Sequence, residues 1–285
     1  RSCLVGSEMC IRDRFLTLIT LVSCEDKNSA DVNQSSITTN PVYEYNGLSY
    51  NYIELNSPPF DGTIWITGDI ITVNEPSVFL NVIFQGKSAR TMYDRRAGWI
   101  TEYPFIFNAS YADNIEIEIQ INPEFTYEES LNLANKYGRS VGQLPKSLRT
   151  DVKTMWIHKG EEAWGGGNNN ILIHTGQGEI YENWNGGDIS QETLIHEGTH
   201  TSLDSKIYGK DGWVSAVNND QTYVSTYAKD YPQREDIAEL FPLYIAVKFF
   251  PERISSYHRN LILSCCINRI NYLDSLELDF EIYNQ

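Results

Sequence analysis

Residues 115–122 alternate strictly between apolar and polar side chains, which predicts a strand with one buried and one wet face. Residues 42–55, 63–73, 78–85 and 105–111 are rich in β-branched and aromatic side chains. They are bounded by Gly, Pro or Asn and also read as strands. Thr126 and Glu129 have the spacing of a capping box, opening a helix that runs to about Val141. Two more strands, 154–158 and 170–175, follow it. Gly165-Gly166-Gly167-Asn168-Asn169-Asn170 lies between them and lacks the Lys-Ser/Thr ending of a phosphate loop, so it reads as a flexible hairpin connection. From Asp188 the period becomes helical: Asp188-Ile189-Ser190-Gln191 reads as a capped start, and residues 192–203 continue on one apolar face.

Strands early and helices late predict an α+β chain. At 285 residues the length suits a β-rich N-terminal subdomain, 41–122, followed by a second domain, 123–285. A hydrophobic fraction of 41% supplies a sizeable core. The net charge of −16 argues against nucleic acid as a partner, because phosphate binding relies on Lys and Arg.

Within the late helix stands His196-Glu197-Gly198-Thr199-His200. Histidines four apart on a helix lie one above the other, so both imidazoles reach one Zn²⁺. Glu197 then sits beside the open coordination position, where it takes a proton from water. Gly198 opposes the helix by about 1 kcal/mol relative to alanine and is tolerable if another part of the chain packs close by. A catalytic zinc needs a third protein ligand, and Glu235 is the best downstream candidate. It lies in a segment that Asp230 can cap and Pro232 can open as a helix, with Glu239 on the same face to hold a ligand histidine. Asp236 points elsewhere.

Two segments then carry a family resemblance: His196-Glu197-Gly198-Thr199-His200, and Glu235-Asp236-Ile237-Ala238-Glu239 preceded by Ser225-Thr226-Tyr227-Ala228. Together they resemble the gluzincin zinc peptidases, most of all the lethal-factor type, over residues 188–250. The resemblance implies a zincin-like catalytic domain in 123–285, with residues 171–175 as the edge strand that borders the cleft and can pair with an extended substrate. It further implies Glu235 as third ligand, Glu239 as its support and Tyr227 as a hydroxyl that stabilises the developing oxyanion. Gly198 and the short interval from His196 to Glu235 depart from the family pattern. Tyr223 and Tyr231 compete with Tyr227 in a chain of 18 tyrosines. The expected activity is hydrolysis of peptide bonds in a peptide or protein substrate. A zinc-stabilised surface binding module and a cell-wall amide hydrolase are the alternatives; the intact Glu197 speaks against the first.

The N-terminus carries the expectation about location. Phe15-Leu16-Thr17-Leu18-Ile19-Thr20-Leu21-Val22 is too short to span a bilayer and reads as the core of a signal peptide, residues 1–23. Leu21-Val22-Ser23-Cys24 resembles a bacterial lipobox, which implies a lipid on Cys24, a membrane partner and a place at the cell envelope; simple secretion is the alternative. Residues 24–40 read as a flexible tether, and residues 1–14 as appended rather than native sequence. Cys265 and Cys266 are expected to be small buried residues on a C-terminal helix, since adjacent cysteines rarely bridge. His158 and His174 are strand histidines, expected to be structural rather than metal ligands.

Overall fold

The computed structural model describes residues 40–63 and 66–284. The segment read as a signal peptide, Cys24 and all but the last residue of the segment read as a tether lie outside them.

The main sheet is built from β3 (Phe79–Lys87), β6 (Phe105–Tyr111), β7 (Glu116–Ile121), β8 (Thr154–His158), β9 (Gly165–Gly167) and β10 (Asn170–His174). Its order is β3-β6-β7-β8-β10-β9. β3, β6 and β7 are antiparallel, β7-β8 and β8-β10 parallel, and β9 returns antiparallel on β10. Two hairpins stand outside the sheet: β1 (Val42–Tyr45) with β2 (Leu48–Asn51), and β4 (Arg90–Asp94) with β5 (Gly98–Glu102). The helices are α1 (Tyr127–Val141), α2 (Lys146–Arg149), α3 (Thr175–Tyr181), α4 (Ser190–Ser202), α5 (Asp204–Ile207), α6 (Asp211–Asn219), α7 (Thr226–Asp230), α8 (Asp236–Phe249) and α9 (Ser256–Asp274). Mixed helix and strand around a mixed sheet agree with the expected α+β class at that level. The sheet takes β3, β6 and β7 from before residue 122 and the other three strands from after it. One core cluster joins Phe107 and Ile119 to Leu194, Phe241 and Tyr244.

Several elements have the expected local cause. Thr126 accepts from the Glu129 backbone and Glu129 caps Thr126 in return, so α1 opens on a full capping box. β7 buries Ile117, Ile119 and Ile121 completely. Other expectations need correction. Residues 42–55 are not one strand but a hairpin, because Asn46 and Gly47 both adopt positive φ (49° and 76°), the conformation of a type I′ turn. The described part of 63–73 forms no strand. Asp69 takes a positive φ of 61°, and the backbone there is spent elsewhere: Asp69 N–H donates to Asp188 O (2.7 Å) and Ile71 N–H to the Glu192 carboxyl (3.1 Å). Nor is the Gly165 to Gly167 run a loose connection, since it is the edge strand β9, and this puts β10 inside the sheet. The expected edge at 171–175 is therefore displaced by one strand. Cys265 and Cys266 are joined as a vicinal disulfide, and Cys266 leaves helical geometry at that point in α9.

Arg269 of α9 is fully buried and serves as a charge hub. It pairs with Asp220 (2.8 Å) and Asp236 and donates to the Thr222 carbonyl. Asp236 thus points away from the histidines of α4, as expected, and into this hub.

Candidate metal centre

The centre is assembled on α4, which is buried along nearly all its length and packs against α8, β9 and α2. Asp188 accepts from Ser190 N–H (2.7 Å) at the helix entrance, but the full capping box expected there does not form, because Ile189 occupies the cap position. Gly198 faces α2: a Cβ there would lie 3.3 Å from Leu148 Cβ and 3.4 Å from Leu144 Cδ1. The glycine that opposes the helix therefore admits a neighbouring helix.

His196 and His200 bring their Nε2 atoms to 3.1 Å. Glu235 Oε2 lies 3.5 Å from the first and 3.3 Å from the second. A tetrahedral Zn²⁺ with bonds of about 2.0–2.1 Å requires donor-to-donor separations of about 3.3–3.4 Å, so the three atoms fit such an ion. Each imidazole has a carboxylate on its other nitrogen. His200 Nδ1 is 2.7 Å from Asp204 Oδ2, and His196 Nδ1 is 3.6 Å from Glu239 Oε1. Carboxylates in this position fix ring orientation and point Nε2 at the ion. Asp204 was missed in the sequence, although its position four residues after His200 was a legible signal.

Glu235 sits at the N-cap of α8 and not within it. Ser225 caps the short α7, accepting from Ala228 N–H (2.9 Å), and in place of the expected helix start at Tyr231 the chain makes a turn, with Arg234 and Glu235 N–H both donating to Tyr231 O (2.9 Å) before α8 begins. The relation between Glu235 and Glu239 survives, since the Glu239 N–H donates to Glu235 O (2.8 Å). Ser225 Oγ donates to Glu239 Oε2 (2.8 Å), and Tyr227 OH to Glu235 Oε1 (3.3 Å). Tyr231 is half exposed and stacks edgewise on Tyr227 at 5.1 Å; Tyr223 faces Arg269. Of the three tyrosines, Tyr227 is the one hydrogen-bonded to Glu235.

The electrostatics are those of a charge cluster inside the protein. Burial alone would raise the Glu235 carboxyl, but hydrogen bonds and charge from the two imidazoles outweigh it and hold the group well below the usual range. Burial likewise opposes the charged form of both histidines. Glu235 carries His196 above its ordinary value, and Asp204 and Glu235 together do so for His200. Burial, followed by the Glu235 charge, pushes the Tyr227 hydroxyl up, so it remains an O–H donor at neutral pH. Glu197 is 2% exposed, and its Oε2 has no hydrogen-bond partner among the described residues. Glu235 Oε2, which faces both imidazoles, likewise lacks a hydrogen-bond partner among the described residues, and two such oxygens fit a site that takes an ion or a further donor.

His196, Glu197 and His200 offer donor atoms within 4.8 Å of one another, a group able to hold a metal ion. His158 and His174 are buried with rings 5.5 Å apart, one against Asn122 (3.0 Å) and the other on Lys159 O (2.8 Å). Burial brings His158 down to about 4, so it stays neutral, and both rings lie beside Asp94 (3.5 and 3.9 Å).

A cleft of about 240 Å³ opens beside Glu197 and His200, between β9 and the turn that carries Glu235. Gly167 N–H donates to Thr201 Oγ1 (2.9 Å), whose hydroxyl lies 2.9 Å from both Asn170 O and Glu197 O. Thr201 thereby ties the edge strand to the helix of the two histidines. No family model matches the chain, and neither a curated protein nor a solved structure matches it.

Proposed function

We infer that the protein is a zinc-dependent peptidase of the zincin type. The observation that carries this reading is the convergence of His196 Nε2, His200 Nε2 and Glu235 Oε2 beside the unpaired, buried oxygen of Glu197. These three side chains are the proposed ligands of Zn²⁺, with Glu239 and Asp204 holding the imidazoles. Zinc bound there supplies a Lewis acid that polarises a carbonyl and acidifies water. Glu197 accepts the proton of the attacking water and passes it to the departing amine. The Tyr227 hydroxyl, protonated and within reach of Glu235, donates a hydrogen bond to the developing oxyanion. Among the described residues β9 is an outer strand of the sheet with no neighbour beyond it, and it borders the cleft, so an extended peptide would add to it as a further strand.

Turnover distinguishes an enzyme from a zinc-stabilised binding module. Glu197→Gln is expected to keep the fold and the zinc while lowering hydrolysis of a peptide library by 10²-fold or more. Equal cleavage by parent and variant, or none by the parent, would overturn the reading. The proposed place of action is the bacterial cell envelope, supported by the lipobox-like Leu21-Val22-Ser23-Cys24.

A further inference from the structure

Among the described residues, none with an apolar side chain lines the cleft beside Glu197. One wall is Gly165, Gly166, Gly167 and Asn168; the other residues around it are all polar or charged. Two of them are arginines, Arg95 and Arg234, in a chain where 38 acidic residues outnumber 22 Lys and Arg.

Both arginines are placed by local structure. In the turn between β4 and β5, Arg96 is bound on one side to Asp94 (2.7 Å) and Glu124 (2.8 Å). Arg95, next in line, goes to the cleft. Its Nη2 donates to Trp164 O (2.9 Å), which straps the guanidinium across the start of β9. A Cβ at Gly165 would lie 2.9 Å from that same Nη2, so the missing side chain makes the seat for the arginine. Arg234 stands across the cleft with its side chain 40% exposed. Its distance of 3.7 Å to Glu235 Oε1 is longer than a hydrogen bond.

A guanidinium presents five donors in a rigid fork that matches a carboxylate. Among the described residues, aliphatic or aromatic substrate side chains would find no apolar side chain to bury against here. We propose that Arg95 and Arg234 bind a carboxylate of the substrate, so that the site selects peptides bearing an anionic group near the scissile bond. That group is an Asp or Glu side chain or a free C-terminus. The proposal rests on the peptidase reading for its substrate class, but it is tested by binding.

The experiment uses the zinc-loaded full chain carrying Glu197→Gln, so that peptides bind without turnover. Calorimetric titration compares an alanine-rich octapeptide containing one Glu, its Gln counterpart, and both with amidated C-termini. Loss of the recognised carboxylate is expected to weaken binding about 10-fold or more, the scale of a charge-assisted hydrogen bond. Loss on Glu to Gln assigns the side chain; loss on amidation assigns the C-terminus. Adding Arg95→Gln, or separately Arg234→Gln, is expected to remove most of this discrimination while zinc content stays the same. Neutral-peptide affinity is expected to fall less than the affinity for the peptide bearing the recognised carboxylate. Arg95→Lys, which keeps charge without the fork, is expected to fall between. The proposal is overturned if the four peptides bind alike, if none binds, or if the arginine variants weaken charged and neutral peptides equally. Discrimination in binding without cleavage by the parent would remove the peptidase reading and leave the carboxylate site. Cleavage without discrimination would do the reverse.

Discussion

Gly166 packs against the backbone of Glu197 so closely that a Cβ at residue 166 would lie 2.7 Å from the Glu197 carbonyl carbon and 2.9 Å from its Cα. The spacing between the edge strand and the helix of the two histidines is therefore set by an absent side chain, at the residue proposed as the base.

Gly166→Ala is accordingly expected to destabilise the protein by about 1–3 kcal/mol, the usual cost of overpacking a tight contact. It is also expected to lower peptide hydrolysis more than zinc content, because it moves the strand and not the ligands. Thermal unfolding and metal analysis of the same preparation check this. A variant with parental melting temperature and activity would show that the backbones separate freely.

Metal content tests the ligand set. The folded protein is expected to hold about one zinc per chain, as a three-ligand site does. His196→Ala with His200→Ala should lose it, and Glu235→Gln should weaken binding strongly. Glu239→Gln and Asp204→Asn act through orientation and should cost about 10–100-fold in affinity. Competition with a chromogenic chelator measures each; stoichiometric zinc in the double histidine variant would refute the assignment.

Tyr227→Phe is expected to lower kcat by about 10-fold or more with little change in KM, as for a hydroxyl that acts on transition-state charge. The same substitution frees Glu235 Oε1 of its hydrogen bond from Tyr227, so zinc affinity is measured alongside. A fall in kcat that tracks zinc loss would make Tyr227 a support for Glu235 and not a donor to substrate.

Stability should depend on pH through Glu192. Burial pushes its carboxyl up to about 8, so it is neutral in the folded protein at pH 7 while the unfolded chain ionises near 4.5. The folded state thus holds an extra proton between these values. The stabilising contribution is whole below 4.5 and is lost as pH rises toward 8, on the order of 1 kcal/mol per pH unit. Glu192→Gln is expected to raise the melting temperature at pH 8 and leave it nearly unchanged at pH 4.5. Parallel melting curves for parent and variant across pH 4.5–8.5 would contradict this.

Cys24 supplies a test of location that is independent of the zinc centre. Cells expressing the protein are expected to incorporate labelled palmitate into it and to retain it in the membrane fraction. Cys24→Ala should abolish the label, whereas a label unchanged in that variant would rule out the lipoprotein assignment.

What the sequence disclosed, and what it hid, follows from how local each cause is. The strands at 105–111 and 154–158 carry their own β-branched and aromatic pattern and appear with the bounds their composition suggests. Thr126 and Glu129 announced α1 because a capping box is complete within four residues. Asn46-Gly47 was equally local, and reading 42–55 as one strand overlooked it. β4 and β5 escaped because their turn is dominated by Asp94, Arg95 and Arg96, with no apolar alternation to mark it. β9 was hidden for a deeper reason. Three glycines have no strand propensity of their own, and the strand is defined by its pairing with β10 and by the Glu197 backbone, which leaves no room for a side chain at Gly166. The partners of the histidines divide in the same way: Asp204 was readable from its spacing, while the position of Glu235 at a helix cap depends on the turn at Tyr231 that separates one helix from the next.

Arg269 has a consequence for any attempt to shorten the protein. Asp220 and Asp236 are as buried as Arg269 itself, and their shared counter-ion comes from α9, far along the chain from the residue beside Asp236 that completes the histidine cluster. A fragment ending after α8 would retain every proposed ligand of the ion yet lose the counter-ion of two carboxylates together with Ile262, Cys265 and Ile270 of the core. The smallest portable unit of this centre is therefore defined by the last long helix, which touches neither metal ligand nor cleft, and grafts or truncations planned from the two motifs alone would be expected to arrive unfolded.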